Sequence, residues 1–197
     1  MLDWLKNINK EYPAFWKSYL SKFDKKPERF VVLSVDSSGT HPTQDVIYSF
    51  GAVAVKNDQV IIGDSFEATL LQYKYLHDQG LPNTFLVDSK QPKMAEPEAV
   101  EQLIEYLENA VLVGHRIHHA VEQINTALDK LYCGRLKNEA LDVEIMYRKA
   151  FDADGQFPLE KLFSTYKFDY NETDTTSEKA YNMALVFLKL KSKLGLH

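Results

Sequence analysis

The sequence has little of several things. There is one cysteine, Cys133, in 197 residues. A lone thiol cannot close an internal disulfide, so a disulfide-stapled fold is excluded and a reducing compartment is expected. Cys133 reads as a small buried filler rather than a nucleophile. There is no excess of positive charge: 23 Lys and Arg stand against 28 Asp and Glu, a formal net charge of −5. That excludes a strongly basic nucleic-acid binder and leaves room for a local basic patch. No apolar run approaches the ~20 residues needed to cross a bilayer. The opening MLDWLKNINK is amphipathic and carries acids, unlike a secretory signal. A cytoplasmic protein with no membrane partner is expected. Repeats, low-complexity tracts and an HExxH zinc pattern are also missing.

What is present is ordinary globular material, 45% hydrophobic and 26% charged, with a somewhat rich aromatic share of 12%. This suits one domain with an appendage. Residues 1–29 read as a helical N-terminal extension. Trp4, Leu5 and Ile8 share helical spacing, as do Phe15, Trp16, Tyr19 and Leu20, and Pro13 separates the two pieces. The aromatics are expected to dock onto the body of the domain. A partner-binding arm is the alternative.

From residue 30 the period changes. Phe30–Val35 is a continuous apolar run, as in a central strand. Val46–Val55 is a second strand, Asn57-Asp58 a turn and Val60–Leu70 a third strand, which together suggest an antiparallel meander. Residues 71–97 read as irregular, with room for a short helical piece. Beyond them, Val100, Leu103, Ile104 and Leu107 mark a helix opened by Pro97. Val111–Val113 is a short strand, and the following helix carries Val121, Ile124, Leu128 and Leu131 and stops at Gly134. Ala140-Leu141 is another strand. Helices follow at 143–151, 158–166 and 175–194, the last with Thr175 and Glu178 at capping-box spacing. The expected class is α/β. A mixed central sheet, a three-strand antiparallel meander plus parallel strands, is flanked by helices.

Three stretches carry a resemblance. FVVLSVDSSGTHPTQDVIYSFGAVAV, residues 30–55, resembles a strand ending in Asp-x-Glu-Thr-Thr-Gly, followed by an Ile-x-x-x-Gly-Ala-Val strand. VLVGHRIHHAVEQINTAL, residues 111–128, resembles Val-x-His-Asn-x-x-Phe-Asp. DTTSEKAYNMALVFLKL, residues 174–190, resembles a His followed five residues later by an Asp in an Ala-rich helix. With the element order, these resemble the DEDD-type (DEDDh) 3′–5′ exonucleases, which include the epsilon subunit of bacterial DNA polymerase III. The resemblance implies a ribonuclease-H-like exonuclease fold over roughly residues 30–192.

It also implies chemistry. Such enzymes hydrolyse phosphodiesters with two divalent ions about 3.5–4 Å apart. Carboxylates hold hard cations such as Mg²⁺ or Mn²⁺, and a His serves as general base. Laid over that pattern, Gly39, Ile47, Gly51, Ala52, Val53 and His115 match. The first acid position holds Ser34 and the second Asp36. The helix-opening acid falls on Ala120, with Arg116 and His119 at the neighbouring Asn and Phe positions. Asp174 stands at the general base and Lys179 at the last acid. The resemblance therefore leaves Asp36 and Asp174 as the residual catalytic groups. It puts Ser37, Ser38, Gly39 and His115 on the substrate side. With so few carboxylates no metal is expected, and the Lys179 ammonium is expected to face Asp36 in the place of a lost ion.

A rebuilt metal site is the alternative. His115 and His119 are spaced i, i+4, as are His118 and Glu122, so Asp36, His119, Glu122 and Asp174 are its candidate ligands. Each residue also has a plainer reading. Asp36 suits a loop, Asp174 a helix N-terminus, Asp142 the cap of the next helix and Lys179 a solvated helix face. The expected function is a catalytically degenerate exonuclease-like domain that binds a single-stranded 3′ end or a protein. The other expectation is a divergent metal-dependent 3′–5′ exonuclease.

Overall fold

The computed structural model describes residues 11–71, 92–171 and 173–196. Its centre is β1 (Phe30–Ser37), whose apolar run is buried on both faces: Val31, Val32 and Leu33 are all 2% exposed or less. Strand side chains alternate. Val31, Leu33 and Val35 therefore join one core cluster, while Phe30 and Val32 join the other.

The meander is as the sequence implies. β1 pairs antiparallel with β2 (Ile47–Lys56), and β2 with β3 (Gln59–Leu70). Asn57 and Asp58 join β2 to β3 with φ of 51° and 57°, the left-handed values that Asn and Asp tolerate in a tight hairpin. β5 (Val111–Gly114) lies parallel to β1, and β6 (Ala140–Asp142) parallel to β5. With β4 (Lys93–Met94), the sheet order among the described residues is β4-β3-β2-β1-β5-β6. Parallel neighbours need crossovers, and described helices lie between β4 and β5 and between β5 and β6.

On one face lie α1 (Ala14–Ser21), α2 (Glu96–Leu107) and α3 (Ile117–Lys130), over the cluster that contains Leu33. On the other lie α4 (Val143–Phe151), α5 (Leu159–Thr165) and α6 (Thr176–Lys193), over the cluster that contains Val32 and Phe187. The expected α/β architecture, a mixed sheet flanked by helices, is the observed one.

The aromatics of α1 pack inward. Trp16 and Tyr19 are 1% and 2% exposed and stack with centroids 4.6 Å apart. The Tyr19 hydroxyl donates to Asn138 Oδ1 at 2.7 Å, and burial pushes its pKa up to about 12. Phe15 is buried too, so Phe15 and Trp16 form no exposed patch. Trp4, Leu5 and Ile8 lie outside the described residues.

Two expectations need correction. The irregular stretch ends in a short strand, β4 (Lys93–Met94), parallel to β3; most of the rest of it lies outside the described residues. Gly134 does not stop α3, which ends at Lys130. The chain turns instead at Tyr132, φ 57°, with Cys133 N donating to Leu128 O at 3.0 Å. A Cβ on Gly134 would lie 3.5 Å from the Trp16 ring, an ordinary contact, so neither the turn nor close packing requires glycine there.

Candidate functional site

The site begins where β1 meets α6. Thr175 caps α6 by accepting from Glu178 N, and the Glu178 carboxylate accepts from Thr175 N at 2.8 Å, a reciprocal capping box. The helix start lies directly on β2. A Cβ on Gly51 would sit 2.2 Å from the Thr176 carbonyl carbon, so only glycine permits this approach. Gly51 is the cross-strand partner of Ser34. Ser34 and Asp36 therefore project from the same face of β1, toward α6.

Lys179, one turn into α6, meets Asp36. Its Nζ donates to both carboxylate oxygens, at 3.1 and 3.0 Å. The two side chains are 12% and 37% exposed. The ammonium is largely enclosed, while the carboxylate keeps one side open to solvent.

The β1–β2 loop is tied to itself. Ser37 Oγ donates to Gly39 O at 2.6 Å and accepts from the buried Gln123 Nε2, which also reaches Gly39 O. Ser38 Oγ donates to Asp45 Oδ1 at 2.8 Å. That bond and the His41 N–H hold the Asp45 carboxyl below its ordinary pKa. A Cβ on Gly39 would strike Asp45 at 2.6 Å. The hydroxyls of Ser37 and Ser38 thus shape the loop. Gln123, which braces it from α3, was missed in the sequence; nothing local marks a mid-helix Gln as a loop support.

A second polar junction closes the neighbouring strand ends. Asp142 caps α4 by accepting from Glu144 N at 2.8 Å, as its position suggested, and its other oxygen accepts from Ile117 N of α3 at 3.2 Å. One carboxylate serves two helix N-termini. Glu144 is buried at 7% exposure and accepts from Arg116 Nε at 2.9 Å and Phe157 N at 2.8 Å. His115 Nε2 lies 2.8 Å from Phe157 O and 3.6 Å from Glu144. A carbonyl only accepts, so that nitrogen carries a proton. Burial alone would raise the Glu144 pKa; the bonds from Arg116 and Phe157 N, with the Arg116 and His115 charges, outweigh it and hold the carboxyl below its usual range.

The remaining candidates are dispersed. Ala120 packs against the α1–α3 core cluster. Glu122 pairs with Arg135. His119 lies ring to ring with His118 at 3.9 Å. Burial and the His118 and Arg116 charges lower its pKa, against a smaller pull from Asp142. Asp174 accepts from Asn171 N at 3.1 Å within its own turn. His115 precedes α3, so its spacing with His119 is not that of one helical face. Among the described residues no group of three or more His, Cys, Asp and Glu side chains could hold a metal ion.

No protein-family model matches the chain. Sequence relatives do. The chain is 25% identical over 172 residues to DNA polymerase III PolC-type of Caldanaerobacter subterraneus, covering 84% of this chain and 12% of that protein. It is 21% identical over 170 residues to DNA polymerase III subunit epsilon of Aquifex aeolicus, covering 84% of this chain and 81% of that protein. The fold matches exonuclease I with a TM-score of 0.64 at 14% identity, over 84% of this chain and 41% of that one. An E. coli exonuclease I complex with single-stranded DNA gives 0.65 at 14% identity, over 87% of this chain and 42% of that one.

The chain is similar in sequence to DNA polymerase III epsilon and PolC-type proteins. Its fold is the ribonuclease-H-like fold of exonuclease I, and it spans less than half of exonuclease I and about an eighth of the PolC-type relatives. In that fold, the strand that pairs with β1 approaches α6 through Gly51, and the end of β1 carries Asp36. Among the described residues no helix is long and apolar enough to cross a membrane.

Proposed function

We propose that this exonuclease-like, polymerase III epsilon-type domain has lost metal-dependent hydrolysis and works as a binding module. The pairing of Lys179 with Asp36 carries this reading. Both oxygens of the one acid kept at the family's first motif face an ammonium. At ~4 Å and an effective dielectric of ~20, an ammonium and a dication repel by about 8 kcal/mol. The residues present do not fit two divalent ions. Ser34 and Ala120 bring no charge, Lys179 brings the wrong one, and Asp174 is bonded within its own turn. The Lys179 ammonium takes the electrostatic role of an ion and holds the Asp36 carboxylate in place.

What remains is a shaped surface. A single-stranded 3′ end or a protein segment is its partner class, in a cytoplasmic setting. Solved relatives include exonuclease I bound to single-stranded DNA and an exonuclease I complex with a C-terminal segment of SSB. The net charge of −5 opposes tight non-specific binding to phosphates and favours a protein partner.

The test is calorimetric titration of the full chain with Mn²⁺, followed by incubation with labelled single-stranded DNA. The expected result is no heat of binding above a surface-ion background and intact DNA. EDTA-sensitive shortening from the 3′ end would overturn the reading. Asp36, His119, Glu122 and Asp174 would then be the residues to mutate.

A further inference from the structure

The side of α6 that faces β2 and β3 carries a feature that shares only Asp174 with the positions laid over the exonuclease pattern's catalytic groups. A groove of about 480 Å³ lies between the first turns of α6 and strands β2 and β3. Val53 forms part of its floor, and Ile62 and Tyr181 line it. Both are exposed, Ile62 at 70% and Tyr181 at 38%. Asp169, Asp174 and Glu178 also line it, and none of its lining residues is a Lys, Arg or His.

Ile62 is held out deliberately by the backbone. Val53 pairs with Ser65, and the next residue, Ala54, pairs with Ile61, so residues 62–64 bulge out of β3. The bulge is anchored from the opposite face. Arg29 Nη1 donates to Asp64 Oδ2 at 2.6 Å, and the Tyr106 hydroxyl donates to Asp64 O at 2.8 Å. The Arg29 guanidinium itself lies 5.0 Å from the Tyr106 ring centre. A bulge fixed by three side chains is a built feature that re-aims a residue. An isoleucine aimed at solvent beside a tyrosine marks a contact surface.

The charges choose the partner. Three carboxylates repel phosphates, so this groove opposes nucleic acid. They favour Lys and Arg, while the apolar floor favours an aliphatic anchor. An extended segment presents alternate side chains to opposite sides. We propose that this groove docks an extended protein segment that alternates apolar and basic residues. The apolar side chains lie on Val53, Ile62 and Tyr181, and the basic ones reach Asp169, Asp174 and Glu178. The proposal does not depend on whether Asp36 can hold a metal.

The test uses the isotopically labelled full chain and a short peptide of alternating lysine and leucine. Amide resonances of Ile62, Ser65, Asp169 and Tyr181 are expected to shift. A peptide of alternating glutamate and leucine, and a short oligothymidine, should leave them unmoved. Ile62→Ser is expected to weaken the lysine–leucine peptide roughly tenfold, from the lost aliphatic burial. Asp169→Asn should weaken it about twofold and reduce its salt dependence. Both positions are exposed, so both variants keep the fold. The proposal is overturned by shifts confined to other positions, by equal binding of the glutamate–leucine peptide, or by no shift at all. Failure here would leave the Mn²⁺ result untouched, and the reverse also holds.

Discussion

Asp36, near the C-terminal end of β1, and Glu144, just past the C-terminal end of the parallel strand β6, are carboxylates that the fold treats differently. Glu144 has 9% of its side chain exposed and answers to Arg116, the Phe157 amide and, at 3.6 Å, His115. Three segments converge on it. Asp36 has 37% of its side chain exposed and answers to one ammonium. Glu144 is therefore a joint of the structure, and removing it disconnects elements. Asp36 is a site residue whose character is set almost wholly by position 179. The fold does not depend on which residue stands at 179, because β1, Gly51 and the α6 capping box fix the geometry independently.

Breaking Glu144 should give the largest effect. Glu144→Ala leaves a partly exposed guanidinium and a buried amide without their acceptor, and should cost about 3 kcal/mol in chemical denaturation. Glu144→Gln, which can still accept from Phe157 N, should cost less. If Glu144→Ala costs no more than Lys179→Met, the contrast between joint and site residue is wrong.

Acid should sharpen the same contrast. The folded Glu144 pKa lies below its unfolded value. Its contribution is therefore complete above the unfolded value, about 4.3, and is lost as pH falls through the folded one. Wild type should lose more stability between about pH 5 and pH 3 than Glu144→Gln does. Parallel slopes for the two proteins would show that Glu144 is not a source of acid sensitivity.

The site pair comes next, and it should respond asymmetrically. Asp36→Asn strands an ammonium that is 12% exposed and should cost about 2 kcal/mol, whereas Lys179→Met leaves a carboxylate that solvent can reach and should cost about 1 kcal/mol. The double variant should cost less than the sum, because neither charge is then unpaired. Additive losses would mean that the pair seen across β1 and α6 carries no coupling.

The sequence made the elements and the site pair legible because both rest on local rules. Period, turn residues and the capping box placed the meander and α6, and aligning the last stretch on its VFLKL tail set Lys179 opposite Asp36. The Asp142 cap of α4 was readable for the same reason. What was hidden depends on contacts between distant segments. Glu144 sits in the first turn of a helix like any surface acid, and only the approach of Arg116 and Phe157 makes it a joint. Gln123 braces the β1–β2 loop from another element. The end of α3 went astray because the left-handed turn falls on Tyr132 rather than on a glycine.

The smallest effect separates site chemistry from ordinary packing on one helix. Lys191, near the other end of α6, pairs with Asp58 at 2.6 Å in the β2–β3 turn. Its side chain is 10% exposed, as enclosed as Lys179, but Asp58 is 70% exposed against 37% for Asp36. An acid so open keeps most of its hydration, so the pair gains little from Coulomb attraction. The Lys191 side chain is enclosed and its Nζ lies 5.9 Å from the Phe30 ring centre, and methionine keeps the apolar stem that reaches there. Lys191→Met should change stability by less than about 1 kcal/mol. Thermal melts of Lys179→Met and Lys191→Met in one buffer make the comparison. A larger loss at Lys191 would show that exposure of the carboxylate does not rank these pairs, and that the Asp36 pair owes its place to packing rather than to charge.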